Sequence, residues 1–230
     1  DSITTAEKTG ELYHHAFYEA PSIRKFGELY FLVYSSGQNN ELAYATSKFP
    51  DRDFTYRGVI ISNADLGFEG NKIAKAPAGT IHGGIECMNG QYYIFYHRCT
   101  HNTNFSRQAC AEPIEIAADG SIVQVEITSC GLNGGDLQPE GEFPASICCN
   151  LYNPQKPPRL GKPCAQISSE QGAQFIKGMA QGRKAVYKYF DLSAVQSITI
   201  TARGDGQLSV QGRDIKIRSG DWQNYSCSIS

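Results

Sequence analysis

Gly27-Glu28-Leu29-Tyr30-Phe31-Leu32-Val33-Tyr34 opens on a turn and runs into a segment apolar on both faces, the pattern of a central β-strand. Gly37-Gln38-Asn39-Asn40 turns the chain into Glu41-Leu42-Ala43-Tyr44-Ala45-Thr46-Ser47. Pro50-Asp51-Arg52-Asp53 turns it again into Phe54-Thr55-Tyr56-Arg57-Gly58-Val59-Ile60-Ile61. About 63 residues after the first turn the programme restarts. Ile85-Glu86-Cys87-Met88 leads through Asn89-Gly90 into Tyr92-Tyr93-Ile94-Phe95-Tyr96, and a turn region from Thr100 to Asn104 precedes a strand from Ser106 to Ile114. The Asp119-Gly120 turn then predicts a last strand from Ser121 to Thr128. Strand units recurring at about 40–60 residues are a signature of propeller blades. Two similar meanders in an unrelated sandwich are the competing reading. Two units do not close a ring, which typically needs about four or more, so the reading is a partial propeller with an open sheet edge.

The remaining chain changes texture after Gly131-Leu132-Asn133-Gly134-Gly135. Pro139, Pro144, Pro154, Pro157, Pro158 and Pro163 mark a loop-rich connection. Strands resume at Val186-Tyr187-Lys188-Tyr189-Phe190 and Ser197-Ile198-Thr199-Ile200-Thr201-Ala202. Gln207–Val210, Ile215–Ile217 and Tyr225–Ile229 follow, with Gly204-Asp205-Gly206 read as a turn. Short strands at near-regular spacing predict a jelly-roll-like β-sandwich. The expected organisation is an all-β chain with a partial propeller over 1–133 and an accessory, incomplete sandwich over 134–230.

Composition agrees with that class. In 230 residues there are 23 Gly, 13 Tyr and 11 Phe, and helical periodicity is scarce. Charge is nearly balanced, 21 Lys+Arg against 23 Asp+Glu, with no basic run, which argues against a nucleic-acid surface. No apolar run reaches the length that spans a bilayer, so no membrane partner is expected. Asp1-Ser2-Ile3-Thr4-Thr5 is no signal peptide, and both a bacterial cytoplasmic and a secreted location stay open. The eight cysteines show no CxxC or Cys/His metal spacing and read as mostly free thiols, with Cys148 and Cys149 on opposite faces.

The chemistry centres on His15-Ala16-Phe17-Tyr18-Glu19-Ala20-Pro21-Ser22-Ile23-Arg24-Lys25. Glu19 follows two aromatics and precedes an Ala-Pro step. Aromatics beside a carboxyl group lower the local polarity and disfavour its charged form, which suits a general acid. A loop carboxylate with chance neighbours is the bland alternative.

Four spaced motifs carry a resemblance. The stretch around Glu19, then Ile81-His82-Gly83-Gly84-Ile85, Phe95-Tyr96-His97-Arg98 and Phe105-Ser106-Arg107-Gln108, occur in the order found in family 43 glycoside hydrolases. Val125-Glu126-Ile127-Thr128-Ser129-Cys130-Gly131-Leu132-Asn133-Gly134-Gly135 is similar to the end of the catalytic domain in one bacterial branch. The resemblance covers about Tyr13 to Gly135 and implies a five-bladed propeller that cleaves arabinofuranosides, xylosides or related linkages with inversion. It implies Glu19 as the general acid and Arg107 as the arginine bordering the sugar subsite, where a structural ion pair is the competing role. It sets His82 at the propeller's central channel, where relatives hold calcium or a water. A satisfied core histidine is the alternative, since one imidazole is a poor calcium site without oxygen ligands. No cofactor is required on this reading, and a structural calcium is allowed.

An inverting glycosidase also needs a second carboxylate, roughly 6.5–9.5 Å from the acid, to activate water. The family supplies it upstream of the acid, and only eighteen residues precede Glu19. Asp1 matches neither upstream motif. Asp65, in Ser62-Asn63-Ala64-Asp65-Leu66-Gly67, is a loop carboxylate expected to border the cleft on the substrate side. The expected partner is therefore a carbohydrate, together with the missing propeller half or a second copy joined through open sheet edges. A non-catalytic carbohydrate-binding module, with Trp222 as a stacking platform, is the reading from another class.

Overall fold

The computed structural model describes residues 14–38 and 40–229, so Asp1 and the stretch to Tyr13 lie outside the described residues. The chain is all-β. Its first meander is antiparallel in the order β1 (Phe17–Phe26), β2 (Leu29–Ser36), β3 (Glu41–Ser47) and β4 (Thr55–Ser62). All seven residues of β3 are buried, which is why Leu42-Ala43-Tyr44-Ala45 shows no apolar/polar alternation. The second meander has three strands, β5 (Gly83–Met88), β6 (Gln91–Cys99) and β7 (Arg107–Ile114). Asn89 and Gly90 both take positive φ, 52° and 83°, as a two-residue hairpin turn with right-handed twist demands.

One core joins the two meanders. Phe31, Val33, Leu42, Tyr44, Ile60 and Ile61 pack with Ile81, Ile85, Ile94, Tyr96 and Ile114. The strand expected from Ser121 to Thr128 does not form. That segment is tied down mostly by side chains instead: Ile122 N donates to the Tyr44 hydroxyl (2.7 Å) and Ile127 N to Asp65 Oδ1 (2.8 Å). Its Val125 N reaches the Ile60 carbonyl at 2.9 Å. With its amides spent on side chains, no ladder propagates, although Ile122 and Ile127 still enter the core.

The proline-rich stretch is more ordered than its composition suggests. It holds two short antiparallel pairs, β8 (Asn150–Tyr152) with β11 (Lys184–Val186) and β9 (Gln166–Glu170) with β10 (Ala173–Lys177). Residues to Asp136 form one compact unit together with Glu142–Tyr189, so this stretch folds with the meanders rather than beyond a break near Asn133. The reason lies in Arg98, buried in β6, whose guanidinium donates to the Ser146 and Cys148 carbonyls and to Gln108 Oε1. Leu151 N adds a 2.7 Å bond to the Lys75 carbonyl. All eight cysteines are free, and Cys148 and Cys149 enter different apolar clusters, as their opposed directions predict.

The second unit comprises Leu137–Gly141 and Phe190–Ser230. Its sheet is one long hairpin, β12 (Ser197–Val210) with β13 (Arg213–Ser228). Each strand merges two of the predicted ones. Gly204-Asp205-Gly206 lies inside β12 instead of forming a turn, and a register shift between Ala202 and Gly204 absorbs the irregularity. Trp222, 41% exposed, carries the Arg203 guanidinium 4.6 Å above its ring. Among the described residues no sheet closes on itself, and no helix is long and apolar enough to cross a membrane.

Candidate active site

Glu19 lies within β1, not in a loop. Its strand pairs Glu19 with Ser35 and breaks register on both sides, between Phe17 and Glu19 and between Glu19 and Ser22. Ala20 accommodates the double irregularity at a φ of 57°. Such breaks re-aim side chains, and here they put a carboxylate at the edge of a sheet where a regular ladder would dictate its direction. The aromatic neighbours do not enclose it as expected. Tyr18 is 61% exposed, and Phe17 packs against Tyr34 with ring centroids 5.7 Å apart.

The structure brings Glu19 and His82 together across 63 positions of sequence, with His82 Nε2 at 3.0 Å from Glu19 Oε1. The two side chains are 36% and 42% exposed, so the pair is open to a ligand. His82 stands just before β5, and the next residue must be glycine. A Cβ on Gly83 would fall 1.9 Å from the Phe95 carbonyl oxygen and 2.8 Å from a Leu42 methyl. That close approach draws the start of β5 against β6 and sets His82 at the strand's end.

His97 and Arg107 complete the cluster. The His97 ring meets His82 edge-on, centroids 5.4 Å apart and planes at 72°. Burial pushes its imidazole down to about 4, and the charges of Arg107 and His82 push the same way. At neutral pH it is an uncharged ring. Arg107 opens β7, opposite Cys99, and its Nε donates to the Asn104 carbonyl at 2.9 Å. Its Nη2 lies 3.4 Å from Thr80 Oγ1, which ties the arginine to the segment that delivers His82. Both arginine contacts are neutral, so Arg107 makes no structural ion pair among the described residues.

Asp65 is not part of this group. It is 1% exposed, accepts from Ile127 N and, at 2.8 Å, from Asn150 Nδ2, and has Lys75 and Lys188 each at 3.9 Å. A buried carboxylate held by two hydrogen-bond donors and flanked by two lysine cations has no face for a sugar, and its expected place at the cleft is corrected to that of an internal anchor. Sequence reasoning also missed Glu112, 2% exposed and bonded to Thr128 and the Tyr96 hydroxyl. Burial raises it to about 7. His97 was visible only as part of a motif. Strand alternation puts it on the face shared with Cys99, opposite Tyr96 and Arg98, and that was the available signal.

Among the described residues no group of three or more His, Cys, Asp or Glu side chains could hold a metal. His82 and Glu19 fall well short of the six to eight oxygens calcium takes, so these residues alone do not fit that ion.

No family model matches the chain. Curated relatives do. A xylosidase/arabinosidase of Thermoclostridium stercorarium is 44% identical over 207 residues, covering 83% of this chain and 43% of the relative. A β-xylosidase of Xylanibacter ruminicola is 31% identical over 114 residues, covering 49% of this chain and 32% of the relative. The chain thus spans less than half the length of either relative. Among solved structures, a family 43 β-xylosidase/α-arabinofuranosidase from a compost metagenome, in complex with xylotriose and in calcium-free form, is 30% identical. It covers 49% of this chain and 31% of its own, with a TM-score of 0.41, too loose a superposition to carry an arrangement of domains.

Proposed function

The chain belongs to glycoside hydrolase family 43, and we propose that it supplies the acid half of a glycosidase site acting on xylosides or arabinofuranosides. Glu19 is the proton donor. The observation that carries this reading is the 3.0 Å contact of His82 Nε2 with Glu19 Oε1 at an open strand end. The imidazole holds one carboxyl oxygen and leaves Oε2 to face the departing glycosidic oxygen. Arg107 is the substrate-side cation: its planar fork can take a sugar hydroxyl or orient a second carboxylate while its remaining bonds fix the β6–β7 turn. The carbohydrate fits the substrates of the relatives, and a calcium, if one binds near His82, draws its oxygen ligands from beyond this cluster.

Cleavage with inversion requires a carboxylate base on the far side of the sugar. The buried carboxylates here are already committed: Asp65 and Glu112 as described, and Glu41 to His15 and Ser36. We therefore assign the base to residues outside this chain. The propeller and sandwich architecture belongs to the same proposal, with the four-stranded meander as one blade and the three-stranded meander as another.

Glu19→Gln in the full-length protein tests the assignment. The variant keeps size and a hydrogen-bonding oxygen but cannot release a proton. General acid catalysis is worth about 10²–10⁴-fold, and the loss should concentrate on aryl glycosides with poor leaving groups. Equal rates for wild type and variant on such substrates would remove Glu19 from the mechanism.

A further inference from the structure

His97 is a half-buried side chain of this cluster whose polar atoms go unserved. Its Nδ1 and Nε2 are both buried, and neither has a hydrogen-bond partner among the described residues. Buried polar groups in folded proteins are overwhelmingly paired, and an unpaired one costs about as much as a lost hydrogen bond. The ring stands edge-on to His82, which itself contacts Glu19. A phenyl ring would make the same edge contact without burying two unpaired nitrogens. Packing alone does not account for an imidazole in this place.

We infer that His97 is a positioning residue that binds a hydroxyl group, of a water or of the sugar, behind the Glu19–His82 pair and so holds the His82 ring against the acid. A neutral imidazole offers one N–H and one lone pair, and a hydroxyl can serve either, since it both accepts and donates. An anion would answer only the N–H. A cation would have to sit beside the Arg107 guanidinium, whose charge His97 already feels. The inference rests on the reading of Glu19 as the acid.

The test uses the full-length protein with His97→Phe, which keeps the ring and removes both nitrogens, and His97→Gln, which restores a donor and an acceptor. The phenylalanine variant should melt at or above the wild-type temperature yet lose at least tenfold in kcat on poor leaving groups, with a displaced pH profile. The glutamine variant should recover part of that loss. A water as the bound hydroxyl leaves KM unchanged; a sugar hydroxyl raises KM, and a deoxy substrate lacking it narrows the gap between variants. Ring ¹⁵N shifts of His82, recorded on this chain, should move in His97→Phe. Unchanged kcat, KM, pH profile and His82 shifts would overturn the inference. Should His97→Phe fail to fold, His97→Gln is compared with His97→Ala: glutamine the more active supports the inference, and equal losses overturn it. Glu19→Gln run alongside separates the two proposals. An active Glu19→Gln sinks the acid assignment, whereas an inactive one beside an unaffected His97→Phe sinks only the role of His97.

Discussion

Asp65 Oδ2 accepts a 2.8 Å hydrogen bond from the side-chain amide of Asn150, 85 positions further along the chain. The same carboxylate holds Ile127 N and lies between two lysines, so it fastens three separate segments at one buried point. Asp65→Ala should lower the unfolding free energy by about 2–4 kcal/mol, because it orphans the buried donors Ile127 N and Asn150 Nδ2. Asn150→Ala should cost about 1–2 kcal/mol, and the double variant less than the sum. Urea denaturation of the four proteins measures this, and strict additivity would mean that the two side chains act independently.

Stability should fall as pH rises through the acidic range, because of Glu112. Burial raises this carboxyl from 4.5 to about 7 against the pull of its Thr128 and Tyr96 hydrogen bonds, with the Asp65 charge adding to the rise. The folded state therefore binds the proton more tightly than the unfolded state. The contribution is fully present below about 4.5 and is lost as pH climbs to about 7, on the order of 3 kcal/mol in all. Glu112→Gln should flatten the profile in that window, which urea midpoints between pH 4 and 8 would show.

Adjacent glycines at the start of β5 should respond differently to alanine. At Gly83 the new methyl would meet the Phe95 backbone, which cannot move without parting β5 from β6. At Gly84 the nearest atom, 2.4 Å away, is the Ser22 hydroxyl, the free end of a side chain that can rotate. Gly83→Ala should cost about 1–3 kcal/mol or more and displace His82, while Gly84→Ala costs less. Matched melting temperatures for the two variants would contradict this reading of the strand contact.

His97 should become easier to protonate when Arg107 is removed. Burial is the larger cause of its fall to about 4, and the arginine charge the next. In Arg107→Ala the His97 value should rise but stay below the usual 6.5, as a proton NMR titration of the ring signals would report.

Thiol labelling should divide the cysteines by burial. Cys87 is exposed and should react within the dead time of mixing. Cys148 and Cys149 are buried, and desolvation raises both, Cys149 to about 11, so neither presents a thiolate at neutral pH. Their labelling should track global unfolding.

Much of the fold was legible because local signals and burial agreed. Glu41–Ser47 is found with the bounds its sequence predicts, and Asn89-Gly90 turns where its chemistry requires. The Glu19–His82 pairing could not be read from spacing, and the resemblance singled out the two residues only separately, one as the acid and one at a central channel. What failed was long-range. Gly204-Asp205-Gly206 has turn chemistry, but the register of a long hairpin runs through it. The segment after Gly120 has strand composition, yet Tyr44, Asp65 and Glu112 side chains claim its amides. Asp65 looked like a cleft carboxylate because nothing local announces Asn150 or Lys188 as its partners.

Arg98 carries a consequence for how such a protein can be inherited. Its buried guanidinium has carbonyl acceptors 48 and 50 positions away, so the second meander is folded around a cation whose partners lie within the proline-rich stretch. A recombination event joining new sequence at residue 133 would strand that charge in a dry interior. Exchange after Tyr189 would leave it served. The exchangeable module of this chain therefore ends at the close of its first compact unit, and shuffling between relatives should find its breakpoints there.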